Sequence, residues 1–178
     1  MAHLARRNLG LLALRLGTGS VFFAHGAQKL FGWFGGGGLE KTAKTMEDLG
    51  FRPGRQSALA AGGCEAGGGL LLALGMATPV AGAAATGAMS GAVAVHRKAG
   101  FFVTAGGYEY PAYLGFVAAC LSLAGPGRWS LDHLTGNRLN RPCLLLLSFA
   151  ASAASAYVVV DRRERVLAAK AEPAETGD

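Results

Sequence analysis

Arg15, His25 and Lys29 stand inside the first apolar run of this chain, and Glu65 stands inside the second. Charged groups in apolar surroundings are costly and usually face inward, in pairs. At 100° per residue, Arg15, Thr18, Phe22, His25 and Lys29 fall in one stripe about 80° wide. A rise of about 1.5 Å per residue puts His25 ~9 Å and Glu65 ~12 Å inside their helices, measured from the same side. The depths match, so His25 or Lys29 is the partner the spacing offers to an ionised Glu65. His25 and Glu65 are also side-chain types that can pass on a proton. A ligand pocket between helices and a structural ion-pair core are both compatible with this pattern.

A weak internal repeat extends the set. Gly62-Gly63-Cys64-Glu65 opens the second apolar run and Gly106-Gly107-Tyr108-Glu109 opens the fourth, while His25 and His96 close the runs before them. Two helical hairpins related by an axis along the membrane normal would produce it. The candidate polar pocket is therefore His25, Lys29, Glu65, His96 and Glu109. Two His and two Glu could ligate a transition metal. However, His96 and Glu109 lie at helix ends, and the Glu-x-x-His pair of di-iron bundles is missing. A charge-paired core is favoured, and no metal site is assigned.

A second candidate set lies on the opposite side, in Gly125-Pro126-Gly127-Arg128-Trp129-Ser130-Leu131-Asp132. Arg128 and Asp132 could clasp this turn or meet Arg15. One reading is a loop cap with an interfacial Trp anchor, and the other is an anion- or headgroup-sized site. Walker, dinucleotide-binding, nucleophile-elbow and His-Glu-x-x-His motifs are absent, so no catalytic residue is assigned and no motif implies a cofactor.

The elements that must position these residues are apolar helices. The chain has 178 residues, 51% of them hydrophobic and only 16% charged, with 28 glycines. Five apolar runs approach the ~17–25 residues of a membrane span: Leu9–Phe31, Ser57–Met76, Thr78–Val95, Tyr108–Gly125 and Cys143–Val160. The fourth is short in its clean part. Small residues four apart, such as Gly82, Thr86 and Ser90, let helices approach closely where lipid supplies no hydrophobic drive. Gly75 and Pro79 suit a tight turn between the second and third runs. Between Gly32 and Gln56, Leu39, Ala43, Met46 and Leu49 recur at helical spacing and predict a short amphipathic helix ending at Gly50.

The net charge of +6 does not point to nucleic acid, because basic residues flank the apolar runs as they do around membrane spans. The basic start followed by an apolar run reads as an uncleaved first span, since Arg15 interrupts any signal-peptide core. Cys64, Cys120 and Cys143 have no metal or dithiol spacing and read as small buried hydrophobes. With five spans, nine Lys or Arg stand on one side and five on the other. Positive-inside counting then puts the N-terminus outside, the basic N-terminal start favours the reverse, and the orientation stays open.

The residues also resemble the DoxX family of small bacterial membrane proteins. The likeness runs from about Arg15 to Asp132 through His25-Gly26-x-x-Lys29-Leu30-Phe31-Gly32, Gly50-Phe51 with Pro53, and Glu65-x-x-Gly68-Gly69 leading to Leu74-Gly75. It continues through Gly107-x-Glu109-Tyr110-Pro111 and Gly125-Pro126-Gly127-Arg128-x-Ser130-x-Asp132. The resemblance implies an all-α, four-helix membrane bundle in the bacterial inner membrane, associated with quinone- or thiol-linked redox chemistry and oxidative stress. It implies no catalytic residue of the subunit's own. Quinone is the ligand it suggests, and redox subunits or a second copy are the partners beside the lipid bilayer. The expected organisation is a bundle over 1–135, an additional apolar helix over 136–162 and a polar, disordered tail over 163–178. A non-catalytic scaffold that recruits redox partners is the alternative function, and a small transporter a further one.

Overall fold

The computed structural model describes residues 2–171, and among them there is no strand. Seven α-helices follow in order: α1 (Ala2–Phe31), α2 (Gly38–Asp48), α3 (Gly54–Leu74), α4 (Thr78–His96), α5 (Glu109–Ala124), α6 (Leu131–Leu134) and α7 (Pro142–Ala171). Four of them, α1, α3, α4 with the turn that extends it to Ala99, and α7, are long and apolar enough to cross a membrane. The apolar helix α5 is shorter, at 16 residues.

Helices α1 and α3 run antiparallel at backbone contact, which their glycines make possible. A Cβ at Gly69 would lie 2.6 Å from Gly19 O and from Phe23 N, and one at Gly26 would lie 2.7 Å from Ala66 Cα. In water such glycines would cost a helix roughly 1 kcal/mol each relative to Ala. In lipid, unpaired backbone groups are costlier still, so the helix persists and the bare surface is available for packing. The α3–α4 turn forms at Gly75 (φ 63), with Pro79 in the first turn of α4. Antiparallel α5 is tied to α4 by Thr86 Oγ1 donating to Gly115 O (3.2 Å) and Ser122 Oγ donating to Thr78 O (3.1 Å). The core where these helices meet includes Phe22, Leu72, Ala85, Met89, Leu114 and Leu121.

The fifth apolar run forms α7, which packs chiefly against α4 and parallel to it. Ser148 and Ser152 donate to Pro79 O (3.3 Å) and Ala83 O (2.7 Å), and Arg163 Nη1 donates to Ala94 O (3.4 Å), each across the same offset of 69 residues. A parallel α4 and α7 requires α5 to return the chain between them. The bundle therefore has a near end, with the start of α1, the α3–α4 turn and α6. Its far end holds the end of α1, α2 and the α4–α5 loop.

Two boundaries differ from the sequence reading. Helix α1 begins at Ala2, seven residues before Leu9. The polar segment expected as a disordered tail from 163 is helical through Ala171. Arg163 is buried there, Arg165 pairs with Asp161 at 2.9 Å one turn back, and Leu167 packs beside Gly50. These contacts give the turns beyond Val160 tertiary support. Residues 172–178 of that expected tail lie outside the described residues. The amphipathic helix expected before Gly50 is α2.

Candidate functional site

The sequence stripe on α1 faces the interior, with Arg15 and Phe22 fully enclosed and His25 and Lys29 half-buried. At the far end, Lys29 Nζ donates to Glu65 Oε2 in an ion pair. The Glu65 side chain is 4% exposed and that of Lys29 27% exposed. The carboxylate belongs to the core, while the ammonium reaches the surface on its long stem. Gly62 seats the pair, because a Cβ there would meet the Leu30 side chain and lie 3.4 Å from Lys29 Cβ.

His25, one turn before Lys29, makes a different contact. Its Nε2 lies 3.2 Å from the Tyr110 hydroxyl, with the rings edge to face at 5.9 Å between centroids. Tyr110 belongs to α5 and also lines an open groove of about 490 Å³ with Phe101, Val103, Glu109, Tyr113 and Phe116. His96 and Glu109 sit at the same end but serve the α4–α5 loop. His96 Nδ1 donates to Gly106 O (2.8 Å), and Glu109 Oε2 accepts from Val103 N (3.0 Å). Of the five residues of the expected pocket, Lys29 and Glu65 thus pair with each other, His25 pairs with Tyr110 from outside the set, and His96 and Glu109 brace a loop. Among the described residues, no group of three or more His, Cys, Asp or Glu is placed to hold a metal ion.

The near end is built otherwise. Arg15, 1% exposed, donates through Nη1 to Pro126 O (2.6 Å) and through Nη2 to Trp129 O. Its Nε is buried without a partner. Asp132, also 1% exposed, accepts from Ala77 N (2.9 Å), Thr78 N (3.0 Å) and Thr78 Oγ1 (2.9 Å). It thereby caps α4 and supports Ala77, whose φ of 47° costs a non-glycine residue about 1–2 kcal/mol. Its own N–H donates to Gly75 O (2.9 Å). The expected Arg128–Asp132 clasp does not form. Three donors at the start of α4 converge on that carboxylate, whereas the Arg128 side chain is exposed and only its backbone N–H is engaged, by Asn8 Oδ1 (3.1 Å). No anion-sized space opens beside Arg15, since its guanidinium fills the gap between Gly75 and the loop.

Sequence reasoning missed Tyr110, Thr78, Asn8 and Arg163. Tyr110 stands next to Glu109, yet nothing in local spacing aims it at His25, 85 residues away. Arg163 reads as a flanking charge, but its Nε donates to Leu49 O (3.0 Å) and its guanidinium lies 5.4 Å over the Phe51 ring.

These features define a multi-pass helical membrane protein whose buried charges gather at the two ends of one bundle. Its family is carried by α1 to α4: the DoxX family profile matches residues 10–98, and the chain belongs to that family. The Gly107–Pro111 and Gly125–Asp132 stretches and all of α7 lie beyond the matched range. No curated protein and no solved structure matches the chain.

Proposed function

We propose that this DoxX-family protein acts in the bacterial inner membrane as a subunit of a quinone- or thiol-linked oxidoreductase system, and that its far end takes a quinone-type ligand. One observation carries the reading: Tyr110 joins the aromatic groove to His25, one turn from the buried Lys29–Glu65 pair. The residues fit such a ligand. Aromatic walls suit a flat ring, and the Tyr110 hydroxyl can donate to a ring carbonyl. A bound quinone supplies reversible two-electron, two-proton chemistry. His25 then holds or accepts a proton at Nε2, and the Lys29–Glu65 pair fixes the turn of α1 that carries it.

The reading is tested with the protein purified in mild detergent or nanodiscs. Mass spectrometry should find bound quinone, and a soluble quinone analogue should bind with lower affinity to His25→Ala and Glu65→Gln. Wild-type quinone binding and oxidant resistance in both variants, at normal expression, would overturn it. The scaffold reading has its own support in α7, which leaves Leu146, Leu147 and Tyr157 largely exposed. Stoichiometric redox partners and no bound ligand in the purified complex would favour it.

A further inference from the structure

The α4–α5 loop carries an apolar tip that the far-end site does not explain. Phe101, Phe102 and Val103 are 51%, 67% and 54% exposed. Their depth follows from the two helices they join. Thr86 of α4 and Gly115 of α5 are in hydrogen-bond contact, so they share a level in the bundle. From Thr86 to the end of α4 at His96 is about 15 Å, whereas from Gly115 to the start of α5 at Glu109 is about 9 Å. Helix α5 therefore begins about 6 Å deeper than α4 ends. Its 16 residues span about 24 Å of a hydrocarbon layer about 30 Å thick. The loop has to descend through that gap.

Non-helical backbone at membrane depth requires its polar groups to be satisfied within the protein. This loop meets the requirement in large part; the N–H groups of Phe101 and Phe102, which find no such partner, keep its tip at the level of the headgroups rather than deep in the hydrocarbon. The N–H groups of Gly100, Ala105, Gly106, Gly107, Tyr108 and Glu109 all donate to carbonyls of residues 97–103. Val103 N, with no such carbonyl, donates to the Glu109 carboxylate, and His96 satisfies the carbonyl of Gly106. Arg97 and Lys98, both exposed, stand at the top of the descent, a position that suits basic side chains beside anionic headgroups.

We infer that residues 99–108 are a membrane-immersed loop seated in the outer hydrocarbon and headgroup layer of one leaflet, with lipid as the partner of Phe101, Phe102 and Val103. His96 and Glu109 are positioning residues that keep its backbone satisfied there. The groove along Tyr110, Tyr113 and Phe116 then opens sideways to lipid. A ligand reaching Tyr110 arrives through the membrane, a corollary that rests on the function proposed above, whereas the immersion itself does not.

Phe102→Trp, made together with Trp33→Phe and Trp129→Phe so that only one indole is read, tests the placement in liposomes. The expected result is a blue-shifted emission that is strongly quenched by phospholipid brominated near the carbonyl end of its chains and weakly by aqueous iodide. Strong iodide quenching with no effect of bromolipid would overturn the proposal. The unmodified protein gives a second readout that does not depend on the variant folding. A phospholipid with a diazirine near its carbonyl end should label residues 101–103, and labelling confined to the helices would overturn it. Quinone binding is measured separately, so immersion without binding refutes only the proposed function.

Discussion

The two ends of the bundle bury charge in opposite ways. At the near end, Arg15 and Asp132 are held by backbone groups: two carbonyls for the guanidinium, and two N–H groups with one hydroxyl for the carboxylate. At the far end, charge meets charge in Lys29–Glu65, and an imidazole meets a phenol in His25–Tyr110. Backbone partners belong to the fold and cannot leave without unmaking it. Side-chain partners can re-aim, exchange a proton or yield to a ligand. The near end is accordingly a structural clasp that ties α1, the α3–α4 turn and the loop before α6 together. The far end holds the side-chain pairs on which the proposed ligand site rests.

The largest effect is expected at the clasp. Asp132→Ala leaves three donors at the start of α4 unsatisfied and removes the support of Ala77, at a cost of about 3 kcal/mol or more. It should show as loss of folded protein in detergent thermal-stability assays. Arg15→Met strands two buried carbonyls and should cost about 2–3 kcal/mol. Arg15→Lys should rescue it poorly, since one ammonium lacks the spread of the guanidinium fork; full rescue would show that charge alone matters there. Gly26→Ala tests the packing between the two ends by pushing α1 off Ala66, with an expected loss of about 1–3 kcal/mol by the same assay.

Smaller effects on stability are expected at the far end. Glu65→Gln breaks the ion pair, but Lys29 can extend to the headgroups, which limits the loss to about 1–2 kcal/mol. Tyr110→Phe removes a single bond and should change stability by less than about 0.5 kcal/mol, while weakening quinone-analogue binding. If Tyr110→Phe destabilised the protein as much as Asp132→Ala, the contrast between a structural and a chemical end would collapse.

Much of the helix plan was legible in the sequence because lipid imposes a simple rule: apolar runs become helices, and small residues mark where they touch. The Gly75–Pro79 turn and α2 follow from local chemistry of that kind. The depth match of Glu65 with His25 follows from helical rise, and it offers His25 or Lys29 as the partner of the carboxylate. Which of the two takes the carboxylate does not follow, because it depends on how α1 rotates against α3. The Arg128–Asp132 clasp, one of the contacts the turn allows, does not form for a related reason. Proximity in sequence made them neighbours, but the open N-terminus of α4, more than fifty residues earlier, offered the carboxylate three donors at once. The helical turns after Val160 were hidden too, since Arg163 looks like an ordinary flanking charge until Leu49, Phe51 and Ala94 are brought around it.

By itself, then, the sequence determined that this protein is a set of apolar helices with few charges inside, and that His25 and Glu65 lie toward one side of it and Asp132 toward the other. Hydropathy and helical rise act along one dimension, and they are sufficient for both. Only the tertiary structure decided the partners. It gave Glu65 to Lys29 and His25 to Tyr110, turned Arg15 and Asp132 to the backbone, and set His96 and Glu109 to bracing a loop. Partnership depends on helix rotation, relative depth and the open backbone groups at helix ends, and these exist only once the helices have packed.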